Sequence, residues 1–234
     1  MVKVITINIL FEMETWAQRR ELLVEGLAAQ QADLIGLQEV KLPEDNSAWL
    51  AQQLNMPYVQ LVPYKVGDYG AAILSRYRFT EQDTLDLESQ GRVAQYVQVE
   101  VEGQPLVFCN GHYYWYPGAN PERVKQVQLL LDWLGKLPPD MPIVAVGDFN
   151  GMPETPAIAL MQERFTSAYA AYHGREPDYT CPTPLKKAPV SQIPSQFLGS
   201  PHMATLARYL GLHIYQPALA GALLPTHSHL PRCQ

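Results

Sequence analysis

Apolar positions along the chain fall into alternating and helical spacings, and these spacings divide it into elements. Residues 2–10 form a β-branched run reaching Asn8, the pattern of a central strand. Thr15 precedes Trp16, Leu22, Leu23 and Leu27 at helical spacing, which predicts a helix over about 16–31. Residues 33–40 read as a second buried strand, followed by a short helix near 47–54 and strands at 58–63 and 70–75. Residues 92–102 alternate apolar and polar as a half-exposed antiparallel strand, leading through Gly103 into 105–112. Asn120-Pro121-Glu122 starts a helix with an apolar stripe of Val124, Val127, Leu130, Leu131 and Leu134. Residues 142–147 form a buried strand running into Asp148-Phe149-Asn150. Strands and helices in this order predict an α/β (α+β) domain whose sheets are covered by helices.

Composition narrows the class. The 234 residues are 47% apolar and 17% charged, enough core for one domain and unlike a disordered, collagenous or coiled-coil chain. No apolar run nears the roughly 18 residues of a membrane span, and residues 1–10 suit a strand better than a signal peptide. Cys109, Cys181 and Cys233 are odd in number and far apart, which argues against a disulfide framework and for a cytoplasmic setting. We expect a monomer without a transmembrane segment. The net charge of −6 opposes broad adhesion to a nucleic-acid backbone, though it permits a local basic cleft.

Polar residues stand where the predicted strands end: Asn8, Gln38-Glu39, His112, Asp148 and Asn150. Each has a plain structural alternative. Asp148-Phe149-Asn150 could be an Asx turn between Gly147 and Gly151, Glu39 a carboxylate reaching solvent, and His112 part of the aromatic stretch 113–116. In combination they offer hard oxygen donors suited to Mg²⁺ and an imidazole suited to a phosphate or a proton transfer.

These pieces resemble the endonuclease/exonuclease/phosphatase superfamily of DNase I-like fold. The likeness rests on Thr6-Ile7-Asn8-Ile9, the helix with Trp16 and Arg19, residues 33–40 and residues 69–76. It continues through Asn110-Gly111-His112 (the family usually has Asn-Thr-His), Arg123, Gly147-Asp148-Phe149-Asn150, Pro153 and residues 179–183. It covers about residues 2–190. The resemblance implies a four-layer sandwich of two mixed β-sheets flanked by helices, and hydrolysis of a phosphodiester or phosphomonoester with Mg²⁺, or Mn²⁺ as substitute. It implies Glu39 as principal metal ligand, with Asn8 completing the metal and phosphate environment. His112 would hydrogen-bond the phosphoryl group, Asp148 would orient or activate water, and Asn150 would bind phosphate oxygens. The substrate could be a nucleic acid, a phospholipid headgroup or a small phosphate ester; the aromatic stretch 113–116 could stack on a base or simply pack as a loop.

Residues 191–234 break the pattern. All 23 acidic residues precede position 190, while four of the six histidines lie in these last 44 positions. Two motifs that the family carries late, Leu-Asp-Tyr-Ile and Ser-Asp-His, are missing, and neither His227 nor His229 has an adjacent acid. We therefore expect an incomplete family domain over 1–190 and an atypical tail read out of frame. Residues 209–215 can be coded TAC CTT GGA CTA CAT ATT TAC, which shifted by one base reads Thr-Leu-Asp-Tyr-Ile-Phe. Cys233-Gln234 followed by a TGA stop reads, in the same frame, as Ala-Ser and an acidic residue. The rival readings are an inactive relative that binds a phosphate ligand or a partner, and a damaged coding sequence without folded function.

Overall fold

A computed structural model describes residues 2–116, 118–177 and 180 and the strand at 223–225. The expectation for the tail lies outside the described residues, apart from that strand.

Among the described residues, ten strands and five helices alternate along the chain. They are β1 (Val4–Asn8), α1 (Trp16–Gln30), β2 (Leu34–Lys41), α2 (Asn46–Gln53), β3 (Tyr58–Pro63), β4 (Tyr69–Ser75), β5 (Phe79–Asp86) and β6 (Val93–Val101). Then come β7 (Gln104–His112), α3 (Pro121–Leu134), β8 (Ile143–Asp148), α4 (Pro156–Gln162), β9 (Phe165–Ser167), α5 (Ala168–His173) and β10 (Leu223–Pro225). One sheet has the order β1-β2-β4-β3 and the other β5-β6-β7-β8-β10-β9. Both are mixed: β1 runs parallel to β2 and β7 parallel to β8, while the other pairs are antiparallel.

Alternation along the strands builds the layers, because successive side chains leave a strand on opposite faces. In β8, Val144 and Val146 join Leu34, Ile73, Val97, Val99 and Phe108 in the core between the sheets. Ile143 and Ala145 face the other way, onto Val127, Leu130, Leu131 and Leu134 of α3 and Met161 of α4. In β2 and β4, Ile35, Leu37, Ala72 and Leu74 pack against Trp16, Leu23 and Leu27 of α1 and Leu50 of α2. The result is helix, sheet, sheet, helix, the DNase I-like four-layer sandwich. No helix among the described residues is long and apolar enough to cross a membrane.

Strand β5 was not expected from the apolar pattern. Its residues are mostly exposed and polar, as suits a sheet edge, so the alternation that marks a half-buried strand is absent. The short elements α4, β9 and α5 likewise carry too few buried positions to show a period.

A polar clamp joins the two sheets. Fully buried Asn110 of β7 donates from Nδ2 to the carbonyls of Leu37 (3.0 Å) and Ala72 (3.2 Å). Its Oδ1 accepts from Gln38 Nε2 at 2.6 Å. Truncating this side chain removes three hydrogen bonds buried between the sheets. Asn110→Ala is expected to lower unfolding free energy by about 3 kcal/mol, read as the denaturation midpoint shift at unchanged slope.

Candidate active site

The parallel pairs β1–β2 and β7–β8 end at one rim of the sandwich, and the predicted polar residues lie there. Asn8 closes β1 opposite Gln38, and His112 closes β7 opposite Asp148 at the end of β8. Glu39 sits where the pairing of β2 with β4 shifts register, with φ of 63°. That irregularity takes its backbone out of the ladder and re-aims its side chain. Asn8 then spans the two sheets: its Nδ2 donates to Glu39 Oε1 (3.0 Å) and to Asp148 Oδ2 (3.1 Å). Its own oxygen accepts from the Leu10 backbone at 3.0 Å. Phe11 N–H holds the other Glu39 oxygen at 3.0 Å. Asp148 Oδ1 accepts from the Asn150 backbone (3.1 Å), and its Oδ2 stands 3.8 Å from His112 Nε2. Asn150, at φ of 48°, donates from Nδ2 to the Tyr113 carbonyl at 3.1 Å.

Two glycines make this convergence possible. Gly147 has φ of 141°, and a Cβ there would stand 2.1 Å from the Gly111 carbonyl oxygen. Gly111 itself stands where the family usually has threonine; a Cβ there would meet the Tyr113 hydroxyl at 2.5 Å. The buried Tyr113 ring fills that space and stacks on Phe149 (4.5 Å, 11°), which seats the turn carrying Asp148 and Asn150.

Two buried arginines fasten the surrounding loops. Arg19 of α1 donates to the carbonyls of Ile9 (2.6 Å) and Glu12, fixing the turn after Asn8. Arg123 of α3 donates to the carbonyls of Tyr114 (3.0 Å), Gly118 (2.8 Å) and Tyr116, fixing the loop after His112. The first ties α1 to the segment just after β1. The second ties down the aromatic stretch, in which Trp115 stacks on Tyr116 with ring centroids 4.3 Å apart.

Comparison with known proteins agrees with this geometry. The model of the Endonuclease/Exonuclease/phosphatase family matches residues 5–212. The chain belongs to that family. It is 28% identical over 182 residues to Carbon catabolite repressor protein 4 homolog 6 of Arabidopsis thaliana, a match covering 65% of this chain and 24% of that relative. It is 24% identical over 200 residues to Protein angel of Drosophila melanogaster, covering 76% and 54% respectively. The chain thus spans about a quarter to a half of the length of these curated relatives. In structure it is similar to the catalytic domain of human Nocturnin solved with a bound sulfate anion, with a TM-score of 0.70, 23% identity and 77% of each chain covered.

The electrostatics of this family member's rim are those of two carboxylates kept close by one amide. Burial pushes the Glu39 carboxyl above the ordinary glutamate range. The hydrogen bonds from Asn8 and Phe11 pull it down, the Asp148 charge pushes it up, and Arg92 pulls it down again. Among the described residues no three His, Cys, Asp or Glu side chains gather as a metal cage. A hard divalent cation takes one or two carboxylates and keeps waters for its remaining positions, and the side chains at the rim offer carboxylates of that kind. Glu39 and Asp148 are the hard donors available, and their mutual repulsion is what a cation would relieve.

Two residues at this site escaped the sequence reading. Tyr64, just after β3, and Arg92, just before β6, both reach His112 Nδ1, at 2.9 and 3.0 Å. An arginine at the entrance of an apolar strand was the available signal for Arg92. Nothing in the local sequence marks Tyr64, whose hydroxyl is pushed far above the ordinary tyrosine range, first by burial. Cys109 is buried and its thiol is likewise pushed up by burial, which makes it an unreactive core residue.

Proposed function

We propose that the chain is a divalent-metal-dependent phosphoric ester hydrolase that uses Mg²⁺, with Mn²⁺ as substitute. The observation carrying this reading is the Glu39–Asn8–Asp148 bridge, which brings carboxylates from two sheets beside His112 at one rim. Glu39 is the principal metal ligand in this reading, and Asn8 can turn its amide oxygen to the ion. A bound Mg²⁺ would neutralise charge on the phosphoryl and leaving oxygens.

The chain's own groups do the rest. Asp148, held by the Asn150 backbone and Asn8, presents a carboxylate oxygen that orients the attacking water and takes up its proton. His112 donates to a phosphoryl oxygen. Asn150 adds its amide to the phosphate once the substrate displaces the Tyr113 carbonyl. Such preset donors stabilise charge as it develops on the phosphorus centre. The substrate class is a phosphate ester; nucleic acid, lipid headgroup and small ester all present this same group.

A second reading, binding without turnover, is favoured by the absence of any acidic residue in 191–234. We connect it to a shifted reading frame in that stretch. Under this second reading, sequencing the gene would spell Leu-Asp-Tyr-Ile in the shifted frame near residues 210–214; any other spelling refutes the shift. Restoring the frame would then raise hydrolysis. The two readings separate on a generic phosphodiester and its phosphorothioate analogue, each with Mg²⁺ and with chelator. Metal-dependent release of product supports the hydrolase; metal-dependent binding of the analogue without product supports the second reading.

A further inference from the structure

His112 is 1% exposed, and its ring nitrogens face different surroundings. Nε2 looks to the rim and Asp148 Oδ2. Nδ1 looks inward to Arg92 Nη1 at 3.0 Å and Tyr64 Oη at 2.9 Å. Arg92 is 6% exposed, lies over the Tyr64 ring at 4.9 Å, and has a buried Nε without a hydrogen-bond partner. Among the described residues, its guanidinium hydrogen bond is the one to His112.

A guanidinium has only donors. A proton on Nδ1 would point an N–H at another N–H on a cationic group, in a place water does not reach. Nδ1 must accept. The Tyr64 hydroxyl at 2.9 Å agrees, because its O–H can donate to an accepting Nδ1. We propose that Arg92 is a positioning residue that fixes the His112 proton on Nε2, with Tyr64 in support. His112 is then a committed hydrogen-bond donor toward the rim and does not serve as a proton acceptor there. The consequence for phosphoryl oxygens rests on the proposed hydrolase reading; the tautomer does not.

Nitrogen NMR of the full-length protein labelled with ¹⁵N-histidine tests this without substrate or metal. The His112 signals are assigned by their loss in His112→Asn. In the wild type, Nδ1 is expected at the unprotonated position and Nε2 at the protonated one. In Arg92→Gln, whose amide oxygen can accept a proton donor, both signals are expected to move toward the averaged position of exchanging tautomers. Tyr64→Phe is expected to keep the wild-type pattern. A wild-type Nδ1–H or an averaged wild-type pair overturns the proposal. So does an unchanged spectrum in Arg92→Gln, or tautomer averaging in Tyr64→Phe. If Arg92→Gln does not fold, the wild-type and Tyr64→Phe spectra decide. A protein that hydrolyses nothing but shows this pattern refutes the hydrolase reading and leaves the role of Arg92 standing.

Discussion

Asp148→Asn is expected to lower kcat by a factor of about 10²–10⁴ while leaving the fold intact. The carboxylate holds Asn8 through one oxygen and the Asn150 backbone through the other, beside His112 Nε2. An amide has the same shape but only one accepting oxygen, so one of these bonds is lost, at a cost of about 1 kcal/mol. Removing a charge that pushes up the Glu39 carboxyl partly offsets that cost. Stability therefore changes little while proton uptake from the attacking water is abolished. Steady-state kinetics should show the loss in kcat rather than KM, with a thermal midpoint within a few degrees of wild type. An unchanged kcat would remove Asp148 from the chemistry.

Glu39→Ala is expected to abolish stabilisation by Mg²⁺. A ligand at a hundredfold its Kd adds about 2.7 kcal/mol to the native state. The wild type should gain on that order at saturating metal, and the variant nothing. The metal-free proteins provide a second check. A carboxyl whose folded pKa is raised binds more protons in the folded state than in the unfolded one. It thus costs stability as pH rises from the ordinary glutamate value of about 4.3 through its higher folded value. Glu39→Gln should flatten that part of the metal-free stability profile. Equal Mg²⁺ affinity by calorimetry with and without Glu39 would show that the ion sits elsewhere.

Legibility followed the periodicity of buried faces. Strands β1, β2, β4, β6, β7 and β8 have one or both faces in the core, so their apolar runs mark them in the sequence itself. The exposed edge β5 did not, because its side chains answer to solvent rather than to a packing partner. The site split along the same line. Asn8, His112 and Asp148 terminate core strands, and Glu39 interrupts one, so chain order alone put them at element ends. Their meeting depends on which strand ends share a rim, which local pattern does not encode; here parallel pairing of β1–β2 and β7–β8 decides it. Tyr64 and Arg92 come in from loops flanking β3 and β6, and only tertiary packing brings them onto His112.

Local packing divides the aromatic stretch after His112 into two parts. Tyr113 is fully buried behind Gly111, whereas Tyr114, Trp115 and Tyr116 remain half-buried on a loop held by Arg123. Tyr113 is therefore structural, and the three that follow lie on the loop after β7.

The most direct measurement is turnover of a generic phosphodiester by the full-length chain during a Mg²⁺ titration that starts from chelator-stripped protein. A saturable rise in rate, reversed by chelator and absent from both Glu39→Ala and Asp148→Asn, is the predicted result. A rate indifferent to Mg²⁺ and chelator, or one that both variants reproduce in full, would contradict the site and the hydrolase reading together.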